Sequence, residues 1–293
     1  MKHEFGGNWT EDKLERLQKY LLAYMTIFSE NPKAKMLKTI YVDAFAGTGY
    51  RSKANEIICP DLFDEWNEKD SDEFLKGSPV IALEIEPSFK QYIFIEQDSE
   101  RYNELQNLKQ QFHSKRDRIE IIQADANKYL RNWCEHTDWI KNRAVIFLDP
   151  YGMQVEWSTI EAIAGTKAID LWLLFPIGMS VNRMLTRKGI PPDKWVQCLN
   201  RIFGTEDWQE AFYATHTELT LFGEDERQTK EANYTKIGQY FVDRLKTIFE
   251  EVANNPLTLR NSKNVPLYLL CFAASNPRGS KTAIKIASHI LKG

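Results

Sequence analysis

Five short apolar runs constrain this chain more than any other feature: Thr39 to Phe45, Tyr92 to Ile95, Ile119 to Ile122, Ala144 to Leu148 and Ile169 to Phe175. They are rich in β-branched and aromatic residues and too short for helices, so they read as strands buried on both faces. Segments with helical spacing separate them, among them 99–112 and a stretch carrying Tyr129, Leu130 and Trp133. Strands alternating with helices build a mostly parallel sheet with right-handed crossovers. The carboxyl ends of parallel strands share one edge, and ligands bind in the crevice outside it.

Four acids stand at or just past the ends of the first four runs: Asp43, Glu96, Asp125 and Asp149. They should therefore face one crevice. Helix capping accounts equally well for Asp125, which precedes Ala126. Four in series are hard to explain by capping alone, and a ligand that carries an ammonium and a diol would need carboxylates in such places. The first run continues as Asp43-Ala44-Phe45-Ala46-Gly47-Thr48-Gly49. Glycines at 47 and 49 let the main chain approach a ligand closely. A nicotinamide dehydrogenase would need G-x-G-x-x-G, and Ser52 stands at the third glycine position, which argues against that class.

With 293 residues, 43% of them hydrophobic, the chain can bury the core of one large domain. No apolar run approaches the roughly 18 residues that span a bilayer, and the first residues lack a signal-peptide layout. A cytoplasmic protein without membrane contact is expected. Cys59, Cys134, Cys198 and Cys271 lie far apart with no C-x-x-C, which predicts four reduced thiols and no metal site. The net charge of −3 opposes wholesale polyanion binding but leaves room for a local basic patch.

In chain order, Leu14, Leu17, Leu21, Tyr24, Met25 and Phe28 give a helix over 10–30, capped by Thr10. An acidic insertion follows at 51–76; within 55–76 eight acids face two bases. Gly77-Ser78-Pro79 reads as a helix start with serine as cap. Residues 178–225 read as a helical insertion whose Trp195, Phe203, Trp208, Phe212 and Tyr213 belong in a core. Helix 229–252 precedes a hairpin of 257–260 and 266–274, and a last helix carries Arg278, Lys281, Lys285 and Lys292 without an acid. The expectation is a single domain over 1–293 on a seven-stranded sheet that ends in an antiparallel hairpin.

The order D-x-F-A-G-x-G, acid after strand two, acid after strand three and Asp149-Pro150-Tyr151 after strand four resembles class I S-adenosylmethionine-dependent methyltransferases, with their Rossmann-like fold. More narrowly, five segments together are similar to the three-Cys-motif partner proteins, over almost the whole chain. They are Phe5 to Leu14, Tyr41 to Gly49, Phe94-Ile95-Glu96-Gln97-Asp98, Phe147 to Gly152 and Leu171 to Pro176. That resemblance implies a bacterial or phage setting and a radical-SAM-like partner protein carrying a three-cysteine motif.

By position, the methyltransferase pattern implies S-adenosylmethionine as cofactor. Asp43, Phe45, Ala46, Gly47 and Gly49 would meet its methionine part, Glu96 its ribose hydroxyls, and Asp125 and Ala126 its adenine. Asp149-Pro150-Tyr151 resembles the D-P-P-Y motif of enzymes that methylate an amino nitrogen on a planar group, with the second proline absent and Gly152 following. A methyltransferase fold kept as a non-catalytic docking partner of a neighbouring enzyme is the competing reading. Arg183, Arg187 and Lys188, beside aromatics at the strand-five end, are what a nucleic-acid acceptor would need.

Overall fold

The computed structural model describes residues 8–46, 77–220 and 223–292. Helix α1 (Asn8–Glu30) is followed by a single turn, α2 (Pro32–Lys35), which the Asn31 side chain caps. The central elements then alternate: β1 (Lys38–Asp43), α3 (Ser78–Glu84), β2 (Gln91–Glu96), α4 (Ser99–Gln111), β3 (Ile119–Gln123), α5 (Ala126–His136), β4 (Asn142–Leu148), α6 (Trp157–Gly165) and β5 (Ile169–Phe175). A π-turn at Ile177–Val181 and the short α7 (Asn182–Met184) lead to α8 (Asp193–Phe203) and α9 (Trp208–Phe212). The chain closes with β6 (Tyr213–Thr220), β7 (Gly223–Lys230), α10 (Tyr234–Lys246), β8 (Glu251–Val252), β9 (Leu257–Arg260), β10 (Pro266–Ala274) and α11 (Ser280–Ile290).

The main sheet runs β3-β2-β1-β4-β5-β10-β8, with β9 also on β10. Strands β3 to β5 are parallel along this path; β10 is antiparallel to β5 and to both β8 and β9. Strand order and direction together are those of the Rossmann-like class I methyltransferase fold. Strands β8 and β9 lie end to end along β10, so the seventh strand is one interrupted edge.

Period-two alternation divides the strand residues between two cores. Ile40 and Val42, Ile146 and Leu148, and Leu171 and Leu173 pack on one face with α5, α6, α8 and α10. Tyr41, Val145, Phe147, Trp172 and Leu174 pack on the other with α1, α3, α4 and α11. Leu17 and Leu21 of α1, both fully buried, each contribute about 1.5–3 kcal/mol by leaving water. They fix the helix across the second face, and with it whatever its first turns carry.

Several expectations change. The helix begins at Asn8, two residues before the expected cap, which puts Trp9 in its first turn. Residues 213–220 and 223–230, which fall in the expected helical insertion to 225 and helix from 229, pair antiparallel as β6 and β7, and α10 starts only at Tyr234. The paired strands carry Thr215, Thr217 and Thr229, and β-branched residues favour the pleat over a helical turn. Phe203, Trp208 and Phe212 are fully buried in the first core, as expected. Gly77 caps α3, and Ser78 turns its hydroxyl to Asp43 instead. Cys134 and Cys271 are free and buried, which pushes both thiols up to about 12. Cys198 is disulfide-bonded, which corrects the expectation of four reduced thiols. The acidic insertion 51–76 lies outside the described residues. No described helix is long and apolar enough to cross a membrane.

Candidate active site at the carboxyl edge of the sheet

At the carboxyl ends of the parallel strands, backbone bonds tie the exits together. The Ala44 amide donates to the Phe147 carbonyl (3.2 Å), that of Ala46 to Ile95 (3.1 Å) and that of Ala124 to Glu96 (3.2 Å). The first two bonds hold the chain just past β1 against β4 and β2, and the third ties the exit of β3 to β2. Ala46 is buried and Phe45 half-buried; Gly47 and Gly49, the two glycines expected to cradle the cofactor, lie outside the described residues.

Asp43, at the end of β1, is completely buried. Its Oδ2 accepts a hydrogen bond from the Tyr41 hydroxyl (3.3 Å). Burial pushes its carboxyl up to about 7, against the Ser78 hydroxyl; Asp149 pushes the same way as burial, while Tyr41 and Lys13 oppose it. Its Oδ1 is buried without a hydrogen-bond partner. A buried unsatisfied carboxylate oxygen costs about 1–3 kcal/mol. A ligand ammonium in the crevice would remove that cost, and the methionine end of S-adenosylmethionine offers one.

Glu96 is nearly buried at the end of β2, and its Oε1 accepts the Asp98 amide (2.8 Å). Asp98 in turn caps α4. That bond holds the Glu96 carboxylate at the strand end, where a ribose diol would meet it. Asp125 caps α5, its Oδ1 accepting the Lys128 amide (2.8 Å), and Ala126 is buried in the first turn. Capping occupies one oxygen of Asp125 and leaves the half-exposed group able to meet an adenine.

Asp149 follows β4, whose register sets Phe147 beside Asp43. Pro150 is buried and Tyr151 half-exposed, with its amide donating to Gln154 Oε1 (3.0 Å). Gly152 adopts φ +72°, a left-handed conformation that favours glycine. This gives a backbone reason for the residue that departs from D-P-P-Y.

Helix α1 completes the site with residues that strand-based reasoning missed. The Lys13 ammonium donates to Asp149 Oδ2, with the lysine side chain 0% and the aspartate 13% exposed. The Trp9 ring lies 5.3 Å from that ammonium and stacks on Tyr268 of β10 at 5.6 Å between centroids. Burial, then the charges of Asp149 and Tyr151, push the Tyr268 phenol far up. Arg16, three residues on from Lys13 and so on the same helical face, is nearly buried with Nε unpartnered. Lysines within the first helix carry no local signal; only the length of its apolar face suggests that it crosses to the site.

A depression lined by Lys38, Lys90, Asp117 and Arg118 lies at the amino ends of β1 to β3, opposite this crevice and away from the edge where such sheets bind ligands. Among the described residues, no cluster of histidine, cysteine, aspartate and glutamate could hold a metal ion.

No family model matches the chain, and no curated protein does. Among solved structures, protein LPL1258 from Legionella pneumophila str. Philadelphia 1 is similar over 98% of this chain and 92% of its own, at 14% identity and a TM-score of 0.47. The putative methyltransferase yhhF from Escherichia coli is similar over 74% and 87%, at 13% and 0.31. The glycopeptide N-methyltransferase MtfA complexed with S-adenosyl-L-homocysteine is similar over 92% and 90%, at 10% and 0.33. Strand order and direction, not these likenesses, carry the fold assignment.

Proposed function

We propose that this chain is an S-adenosylmethionine-dependent methyltransferase that acts on an amino nitrogen of a planar acceptor, such as a nucleic-acid base or an amide. The observation that carries this reading is the pair of carboxylates at adjacent strand ends: buried Asp43 with an unpartnered oxygen, and Asp149 opening into the Pro150-Tyr151 turn. Resemblance to the three-Cys-motif partner proteins adds that the enzyme works beside a radical-SAM-like partner protein.

When bound, S-adenosylmethionine supplies a methyl group on a positively charged sulfur. The protein's part is binding and orientation. Asp43 Oδ1 would accept the ligand ammonium, Glu96 the ribose hydroxyls, and Asp125 with Ala126 would border the adenine. Asp149 would accept an N–H of the acceptor and so aim the nitrogen lone pair, while the Tyr151 and Tyr268 rings flank a planar group. Orientation with electrostatic preorganisation is worth up to about 7–11 kcal/mol when alignment is good.

The test is a thermal shift with S-adenosylmethionine and, separately, NADH, followed by tritiated-methyl transfer to nucleic acid and protein. S-adenosylmethionine should stabilise the wild type by mass action and Glu96→Ala far less. The double variant Lys13→Met/Asp149→Asn, which leaves no buried charge unpaired, should keep cofactor affinity within a few fold and lose transfer. Stabilisation by NADH alone would overturn the reading. Cofactor binding with no transfer to any acceptor would favour the docking-partner alternative.

A further inference from the structure

The acid expected to receive the acceptor already holds a cation. Lys13 is wholly buried, its ammonium is bound to Asp149 Oδ2, and Trp9 lies over it. Such a lysine cannot swing aside into water, because its stem is packed and its charge is desolvated. Breaking a buried pair by removing one partner leaves an uncompensated charge, which is strongly unfavourable. The Asp149 carboxylate, with Trp9 over its lysine partner and Tyr268 stacked on Trp9, is therefore half spoken for and already neutralised. What Asp149 can still offer is its other oxygen, to a single N–H.

From this arrangement we infer that Lys13 determines acceptor specificity: the site at Asp149 takes an uncharged amino group conjugated to a ring or carbonyl, and disfavours ammonium acceptors such as lysine side chains, polyamines and other aliphatic amines. This inference rests on the methyltransferase reading for its catalytic consequence, but the charge selection is a property of the Lys13–Asp149 pair itself. A second ammonium at Asp149 would lie about 5 Å from that of Lys13. At an effective dielectric near 20, the repulsion makes ammonium binding about 100-fold weaker than at an Asp149 with no lysine beside it. A neutral arylamine or amide meets no such repulsion. Lys13 acts here by occupying an oxygen and a charge, not by touching the methyl group.

The experiment compares wild type, Lys13→Met, Lys13→Arg and the double variant Lys13→Met/Asp149→Asn, using benzylammonium and benzamide as probes of similar size. Binding is read by ligand-observed NMR, with and without S-adenosylhomocysteine. Wild type and Lys13→Arg should bind benzamide in preference to benzylammonium. Lys13→Met, whose side chain keeps the bulk without the charge, should reverse that preference by about 100-fold, and the double variant should abolish benzylammonium binding. A purely structural tie between α1 and β4 would weaken both probes alike in Lys13→Met. That result, or wild type binding benzylammonium as well as Lys13→Met does, overturns the inference. Should Lys13→Met fail to fold, preference for benzylammonium in wild type or Lys13→Arg is equally decisive against it, and preference for benzamide in both upholds it. Methyl transfer is measured separately: its absence in wild type would count against the proposed activity, while the binding ratio still decides the role of Lys13.

Discussion

Asp43→Asn should make the unliganded protein more stable, and increasingly so as pH rises. The wild-type carboxyl moves from 3.8 to about 7 on folding, mainly through burial. Between those values the folded protein keeps a proton that the unfolded chain has lost, so wild-type stability falls as pH climbs through that window and levels off above it. Three units at about 1.4 kcal/mol each set a ceiling near 4 kcal/mol. Asparagine keeps the shape and cannot ionise, so its advantage over wild type should grow by about 3 kcal/mol between about pH 5 and about pH 8. The groups facing Asp43 are Tyr41, Ser78, Asp149 and Lys13, and none is altered by the change. Urea denaturation of both proteins across that range measures the difference. Calorimetry in buffers of unlike ionisation enthalpy should show that wild type releases a proton when S-adenosylmethionine binds below about pH 7, and that Asp43→Asn binds poorly with no release. A difference in stability that stays constant with pH, or wild type being the more stable at about pH 8, would refute the reasoning.

Gly178→Ala should destabilise by about 3 kcal/mol or more, because a Cβ there would stand 1.8 Å from the Pro266 carbonyl oxygen; Gly165→Ala, with nothing within 4 Å, should gain a few tenths, and thermal melts of the two separate close approach from helix propensity. Tyr20→Phe removes the 2.7 Å hydrogen bond to buried Asp170, whose carboxyl burial raises to about 7, so its cost of about 1–3 kcal/mol should appear above about pH 7 and shrink below it in denaturant titrations. If the acceptor is a nucleic acid, the Arg183→Ala, Arg187→Ala, Lys188→Ala triple variant should bind single strands with a salt slope shallower by about two; an unchanged slope removes these exposed residues from the interface.

The strands and their terminal acids were legible because each run is locally apolar and β-branched, and strand polarity then places all four acids on one edge. The pairing of Lys13 with Asp149 was not. It joins residues 136 apart, and a lysine in an N-terminal helix rich in charge looks like any solvated residue until the helix is laid on the sheet. Ser78 misled for a related reason: before proline at a helix start, serine usually caps, yet here the buried Asp43 competes for its hydroxyl. The β6–β7 pair was obscured because the sequence of β7, Gly223 to Lys230, contains no apolar side chain, so neither a two-residue nor a 3.6-residue apolar period marks it.

The interrupted seventh strand bears on how copies of this chain behave at high concentration. An open strand edge is a row of amides and carbonyls that another chain can extend. Here the outer edge is divided into Glu251–Val252 and Leu257–Arg260, and the residues between include Pro256, which has no amide to donate, and Asn255, whose side chain is bonded to Ser288 of α11 (3.0 Å). The opposite edge, β3, is only five residues long and turns Glu120 to solvent. Neither border offers the long, flat template that fibrillar assembly requires, so the sheet ends where its own chain ends it.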